Sequence, residues 1–368
     1  MVLTYENLLT FSDFNFAANK NLKQLNSYAF LSFQDALHYL IKAYALKDKT
    51  ILVPAFYCDA TIHDMEKHGL HVELCAIDHK NFDVDVSHFI ENLRLHQPDI
   101  IIIYNFFGKN SILYSQDEWK KYLKPDVIII SDFAHALIPN HKIEFINQSH
   151  FYIDSTRKTT CRMMANFIAP PNVKINKRFI VGLSAFRFFI RALYLIKSMC
   201  LRLATRFNSK FISNLGMKFY ILHDKYIGSP INSFKGFWWD KFLYRRIKFE
   251  KIRQHKKYLY QVYQSQFAQL ANDGHIEIIS TDEDQENICF FFVRILNANV
   301  AHFSQWLQEK GFWVDTLWDF DAIKNISKED KQWAKSIVVL PYTLRTKSQH
   351  IEQMASLMNV YFNEREHE

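Results

Sequence analysis

Two hydrophobic rhythms alternate along the chain from position 27, one helical in period and one of unbroken apolar runs. Residues 27–45, SYAFLSFQDALHYLIKAYA, predict a short approach followed by a helix. Ser32 stands at an N-cap position, and Ala36, Leu37, Leu40 and Ile41 form one apolar stripe. ILVPAF (51–56) reads as a short strand, then a helix runs to Lys67 and Gly69 stops it. HVELCAID (71–78) alternates as a strand does. A helix over 86–95 precedes DIIIIYNFF (99–107), and a helix around Gln116–Leu123 precedes DVIIISDFAHA (126–136). Both runs are apolar without alternation, as strands covered on both faces are. Strand and helix taking turns predict an α/β fold with a mainly parallel sheet between two helix layers.

After Pro170-Pro171 the chain becomes basic, aromatic and largely helical, and a long helix is predicted from about Trp239 to Leu270. ENICFFFVRIL (286–296), a helix over 300–310, the strand start GFWV, SIVVLP (336–341) and a helix over 347–362 then build a fresh apolar core. The expected division is a large α/β domain over 1–240, with a basic helical segment 173–240. A linking helix and small C-terminal α/β domain fill 241–368.

Composition narrows the chemistry. Only 8 glycines occur in 368 residues, against a usual ~7%. Neither G-x-G-x-x-G nor G-x-x-x-x-G-K-[ST] is present, so dinucleotide and Walker-type nucleotide sites are excluded. The five cysteines contain no C-x-x-C pair and the histidines no metal-ligand spacing, so no metal and no disulfide framework are expected. The N-terminal residues lack a basic-then-apolar leader, and Phe179–Leu203 is broken by Arg187, Arg191, Lys197 and Arg202. Neither a secretory signal nor a membrane span is expected, and the location expected is cytoplasmic.

The net charge of +7 conceals a division. Residues 173–258 hold 20 Lys/Arg and three acids, a net +17, and the remainder is −10. Such asymmetry points to an anionic partner. Three readings stand: a solvated cationic face, a site for the diphosphate of a carrier-linked sugar, and peripheral contact with an anionic membrane, since FRFFIRALYLIKSMCLRLATRF sets arginines among apolar residues at helical spacing. Nucleic acid is not expected, because no recognised binding module accompanies the charge.

In open parallel sheets ligands bind beyond the carboxyl ends of the strands. Those ends are Pro54–Cys58, Asn105–Gly108, Ser131–His135 and Asp154–Lys158. They gather an acid, a histidine, hydroxyls and a lysine around one crevice. An Asp at one strand end and a Lys one strand later is what pyridoxal phosphate chemistry requires: an amine to form an imine, and a carboxylate to keep the pyridine ring protonated.

At this point the chain resembles the fold-type I pyridoxal-phosphate enzymes, in particular the DegT/StrS-type sugar aminotransferases. ILVPAFYCDATIHDMEKHGLHVELCAID is similar to the family's strand, helix, glycine and strand passage. IIIYNFFGK resembles its third strand end, IIISDFAHAL its "EDaAqA" signature, YIDSTRK its lysine segment, and VVLPYTLRTKSQHIEQM its closing segment. The resemblance implies the fold-type I architecture, pyridoxal 5′-phosphate as cofactor, and a homodimer that aminates a keto-sugar, on a nucleotide carrier, with glutamate as donor. It implies Lys158 as the imine-forming lysine and Asp132 as partner of the ring nitrogen. His135 falls on the ring's hydroxyl or phosphate side. Ser155, Ser32 and Gln34 reach the phosphate, and the ring-stacking position falls at Tyr57-Cys58, with Cys58 in the slot itself.

The chain departs from that pattern at the phosphate. Ser32 is followed by Phe33 and Gln34 instead of a glycine and Thr or Arg. The glycine pair after the lysine is replaced in TTCRMMANF, and no N-x-R counterpart is found. Glycine permits close backbone approach to a phosphate, so these losses leave a second expectation open. It is a cofactor-free descendant that binds an anion, a lipid or a membrane surface.

Overall fold

The computed structural model describes residues 13, 26–136, 143–160, 163–207, 209–227, 232–279, 290–316 and 318–365. The principal sheet contains β1 (Ser27–Phe30), β2 (Thr50–Pro54), β3 (His71–Cys75), β6 (Ile100–Tyr104), β7 (Ile128–Phe133), β8 (His150–Asp154) and β9 (Ala165–Ile168). A short ribbon, β4 (Ile77–Asp78) with β5 (Asp83–Val84), stands beside it. The sheet order is β1-β9-β8-β7-β6-β2-β3. The block from β3 to β8 is parallel, while β9 runs antiparallel to both β8 and β1. The expected parallel sheet is thus mixed at one edge.

Every residue of β6 and β7 is buried, which is why neither sequence alternates. Helices α1 (Phe33–Ala43), α2 (Asp59–Lys67) and α3 (Val86–His96) connect the first strands. The Ser32 hydroxyl caps α1 and the Asp85 carboxylate caps α3, each accepting an orphan backbone N–H. The helix expected at Gln116–Leu123 is a 3₁₀ turn, Glu118–Tyr122, that buries Trp119.

Helix α4 (Thr156–Thr160) follows β8 directly. Helices α5 (Ala185–Phe207) and α6 (Lys210–Tyr226) form a hairpin. A Cβ at Gly216 would lie 3.0 Å from Leu201 Cδ2, so glycine sets how closely the two helices approach. The segment after the hairpin returns to the sheet, where the Gly236 N–H donates to the Ala29 carbonyl at 2.8 Å. A Cβ on Gly236 would come within 2.8 Å of the Phe30 carbonyl oxygen. The single helix expected from Trp239 to Leu270 is two, α7 (Trp238–Tyr244) and α8 (Phe249–Asn272). The break between them buries Ile247 against Phe249 and Ile252.

A second sheet of β10 (Ile276–Ile278), β11 (Phe291–Ile295), β12 (Asp315–Thr316) and β13 (Ile337–Leu340) is antiparallel, in order β10-β11-β13-β12. With α8, α9 (Val300–Glu309) and α11 (Ser348–Arg365) it encloses its own apolar core. Helix α10 (Lys328–Lys335) lies toward the first sheet, its Trp333 stacked on His79.

Candidate functional site

Strands β2, β6, β7 and β8 are parallel neighbours, so their carboxyl ends open on one edge of the sheet. Asp132 pairs in register with Tyr104 of β6 and Ile153 of β8. It is 3% exposed. One carboxylate oxygen, Oδ1, accepts the Ala134 N–H at 2.7 Å, and Oδ2 accepts the Tyr57 hydroxyl at 2.5 Å. Burial pushes the Asp132 carboxyl up to about 6, opposed by those two donors and by the nearby charge of Lys158.

From the same edge a second chain of contacts runs to the lysine. The Tyr104 hydroxyl meets His135 Nδ1 at 2.6 Å, and His135 Nε2 meets Lys158 Nζ at 2.7 Å. Burial, then the charges of Lys158 and Arg157, hold the imidazole well below its usual pKa, so His135 is neutral. An ammonium only donates; Nε2 therefore accepts from Lys158, and Nδ1–H donates to Tyr104. The rings of Phe107 at 5.4 Å and Trp318 at 6.1 Å lie nearly parallel to the imidazole. Lys158 itself is half-buried in α4.

Cys58 opens α2, and its thiol is pushed up by burial while the Lys158 charge pulls it down. Ser155 is buried at the end of β8, and its carbonyl accepts the Lys158 N–H at 3.1 Å. Asp132, His135, Lys158, Tyr57, Cys58 and Ser155 therefore share one crevice. Ser32 and Gln34 belong to a separate network at the start of α1. There the Ser32 hydroxyl accepts the Asp35 N–H at 3.1 Å and donates to the Asp35 carboxylate. Asp35 also accepts the Phe234 N–H at 2.8 Å, and the Leu31 N–H donates to the Phe234 carbonyl at 2.9 Å. Gln34 lies half-buried in the first turn.

Three polar residues of this region carry no role in the sequence reading. Asp154, fully buried, is pushed up to about 7 by burial and held by Asn166, whose N–H and side-chain amide donate to it at 2.6 and 2.8 Å. The asparagine standing where a glycine pair was expected is thus tied to the acid at the end of β8. Asn105 donates to the Asp132 carbonyl at 3.1 Å, while its Oδ1 is buried without a partner. The ring of Tyr57 stands edge-on to Tyr104 at 5.1 Å instead of lying free for stacking. The sequence reading set Tyr57 beside the ring-stacking slot, whereas its hydroxyl here is bonded to Asp132.

The histidines are not all isolated in space. His38, Asp64 and His68 bring ligand-type atoms within 4.8 Å of one another. Both ring nitrogens of His38 face oxygens, Asp64 Oδ2 at 2.6 Å and the Asn232 carbonyl at 3.0 Å, and His68 stacks on it at 4.2 Å. The trio ties α1 to α2 and lies outside the crevice described above.

Whether pyridoxal phosphate suits these residues divides along its length. At the ring end the donor set fits, since an amine, a carboxyl and an imidazole converge as the resemblance requires. The Tyr57 hydroxyl already donates to Asp132 Oδ2, so a pyridine nitrogen would share that oxygen with it or displace it. At the phosphate end the α1 N-terminus, a natural anion site, already faces the chain's own Asp35 carboxyl and lacks the glycine. Burial lifts Asp35 to about 6, so an approaching phosphate would draw a proton onto it.

Beside the crevice a cavity of about 1030 Å³ opens between the two sheets. Trp318, Trp333, Arg294, Lys80 and Glu329 are among its lining, and Trp318 is the ring that also stacks on His135. Aromatic faces and charges of both signs suit a polar ligand with flat apolar faces.

No protein-family model and no curated protein matches the chain. Solved structures do. Spr1654 of Streptococcus pneumoniae, a provisionally named sugar aminotransferase in its PMP form, aligns with a TM-score of 0.61 at 12% identity, covering 97% of this chain and 96% of its own. DesV of S. venezuelae, in complex with a ketimine intermediate, gives 0.61 at 12% over 91% of this chain and 84% of its own. NtdA of Bacillus subtilis, with bound PMP, gives 0.56 at 16% over 91% and 72%. At such identities the likeness speaks for architecture, and the architecture of this chain is that of the fold-type I pyridoxal-phosphate aminotransferases.

Proposed function

We propose that the chain is a pyridoxal-phosphate-dependent aminotransferase acting on a keto-sugar, nucleotide-linked and destined for a polysaccharide or envelope glycan, as a homodimer with glutamate as amino donor. The observation that supports this most is the convergence of Lys158, His135 and Asp132 at the carboxyl edge of the parallel block. When bound, the cofactor would supply an electron sink for the amino group in transit. Asp132 would hold its ring nitrogen in place of the Tyr57 hydroxyl, and Ser155 with the start of α1 would face its phosphate. Lys158 Nζ carries the proton between carbon centres, and neutral His135, accepting from Nζ, orients it. Hydrogen bonds to Tyr104 and Lys158 at the two ring nitrogens fix how His135 is turned. The cavity beside Trp318 is where the sugar is placed.

The test is spectroscopic. Purified chain incubated with pyridoxal phosphate should develop an absorbance band near the visible edge, and borohydride should fix the cofactor covalently in the wild type but not in Lys158→Ala. Amino transfer from glutamate to a panel of nucleotide-linked keto-sugars then tests the substrate class. A chain that stays colourless in excess cofactor refutes the reading.

A second reading, a cofactor-free descendant, is favoured by the Tyr57 hydroxyl on Asp132 and by Asp35 at the phosphate end. Tyr57→Ala and Asp35→Asn separate the two. Under the first reading they strengthen cofactor uptake, and Asp35→Asn abolishes its preference for low pH. Under the second, both variants stay colourless.

A further inference from the structure

Helix α5 buries Ile190, Leu193, Tyr194, Leu201 and Ala204 against the chain, and it buries cations beside them. Along α5 the cations Arg187, Arg191 and Lys197 are buried. Arg191 donates to Asp240 at 2.8 Å, the Arg187 guanidinium lies 3.8 Å from the Phe237 ring centre, and the Lys197 ammonium lies 4.5 Å from the ring centre of Tyr194 and 5.0 Å from that of Tyr220. The same helix turns Phe188, Leu195, Met199 and Leu203 to solvent, at spacings that share one helical face. Helix α6 extends this surface with Leu215, Ile221 and Phe211, the last 78% exposed. Trp238 adjoins it at 72% exposure, next to Phe237, whose ring meets Phe188 edge-on at 5.2 Å.

Arg202, Arg206, Lys210, Lys218 and Lys225 are exposed among these apolar residues. Over 185–226 the sequence has one acid, Asp224, and Arg157 holds it at 3.0 Å. Nothing in folding rewards large apolar groups left in water; apolar surface of this kind marks a docking face.

We infer that this face docks on an anionic lipid bilayer, with the hairpin lying in the plane of the interface. Apolar side chains entering the acyl boundary, rimmed by exposed Lys and Arg at headgroup level, are what such a surface takes. No helix among the described residues is long and apolar enough to cross a membrane, which fits a hairpin that lies on the surface. A second copy of the chain is the poorer partner. A two-fold contact sets each patch against itself, so the exposed cations would face cations. The inference does not depend on whether Lys158 works with a cofactor, since the face and the crevice lie on different elements.

Flotation of the full chain with vesicles tests it. The chain should float with phosphatidylcholine vesicles containing phosphatidylglycerol, stay behind with phosphatidylcholine alone, and be released by salt. Met199→Asp with Phe211→Asp should lower the bound fraction about tenfold or more while the urea unfolding curve is unchanged. Lys210→Glu with Lys218→Glu should erase the preference for the anionic lipid. Failure to float with either vesicle, or equal binding to both, overturns the inference. So does a Met199→Asp/Phe211→Asp chain that falls from dimer to monomer in sedimentation velocity yet still floats, because the face would then be a contact between copies.

Discussion

The crevice at the sheet edge and the α5–α6 hairpin solve the same problem, buried charge, in opposite ways. In the crevice the buried groups are matched at close range: Tyr57 on Asp132, Tyr104 on His135, His135 on Lys158, Asn166 on Asp154. In the hairpin, three cations are drawn inward to Asp240 and to aromatic faces beside the buried Ile190, Tyr194 and Leu201, while a second apolar face stays outside. The crevice pairs its polar groups with one another, the arrangement that a charged ligand could enter by exchanging partners. The outer face of the hairpin mixes large apolar groups with Arg202, Arg206 and Lys210, the composition that the proposed lipid contact takes.

The sharpest way to break this comparison is to remove one inward cation. Arg191→Ala leaves the fully buried Asp240 without its guanidinium, and the expected loss is about 3–5 kcal/mol in urea unfolding. Replacing both, Arg191→Met with Asp240→Leu, should recover most of it, because no charge is then stranded. A small effect of the single change would mean that the inward cations are not what seats the hairpin.

Next in size is the response to pH. Asp35 and Asp132 are raised to about 6 and Asp154 to about 7 by burial. A carboxyl raised in the folded state binds its proton more tightly there than in the unfolded chain. The contribution of these three acids is therefore greatest at low pH and falls as pH rises, opposite in sign to that of the buried His135, His150 and His223. The fall begins near the ordinary carboxyl value of about 4 and ends once pH passes 6 for Asp35 and Asp132, and 7 for Asp154. For Asp132 the change across that window is about 3 kcal/mol. Asp132→Asn should remove its share of the slope, as denaturation at a series of pH values would register. A pH dependence left unchanged by Asp132→Asn would contradict the burial assigned to this acid.

Most of the crevice was legible in the sequence because unbroken apolar runs fix which strands are buried, and a polar residue just past such a run lands on the ligand edge. Asp132 follows from that rule; Lys158, beyond the end of β8 at Asp154, was assigned through the family resemblance. The bonds that Asp35 and Tyr57 make were not legible. Both positions are local in sequence, but their partners Phe234 and Asp132 come from segments 199 and 75 residues away. The hairpin was half legible. Periodicity reveals that a helix has two unlike faces, and nothing in the spacing says which face meets the protein. The break after Tyr244 is a tertiary choice, made where Ile247 is buried, in a stretch with no proline or glycine to announce it.

A smaller effect sharpens the account of the crevice. Tyr57→Phe strips the hydroxyl from Asp132 Oδ2 and leaves a buried oxygen with one donor fewer, at an expected cost of about 1–3 kcal/mol above pH 6. Below pH 6 the acid is increasingly protonated and the penalty should shrink. The same change frees Asp132 for another donor. If Tyr57→Phe lost stability yet gained no cofactor, the tyrosine would be a structural partner of the acid and not a competitor of the ring.

The smallest expected effect is the most telling one. In an ordinary helix, replacing a phenylalanine by serine removes packing and costs several kcal/mol. Phe211 is 78% exposed on α6, so Phe211→Ser removes almost no buried contact and should change stability by no more than about 0.5 kcal/mol. Paired with Arg191→Ala, it reverses the usual order at these two positions, where the buried charge holds the helix and the exposed ring is expendable. Urea unfolding of the two variants side by side measures that reversal. A large loss at Phe211 would mean that its ring packs against this chain in solution, and an outer face already covered has no need of a lipid surface.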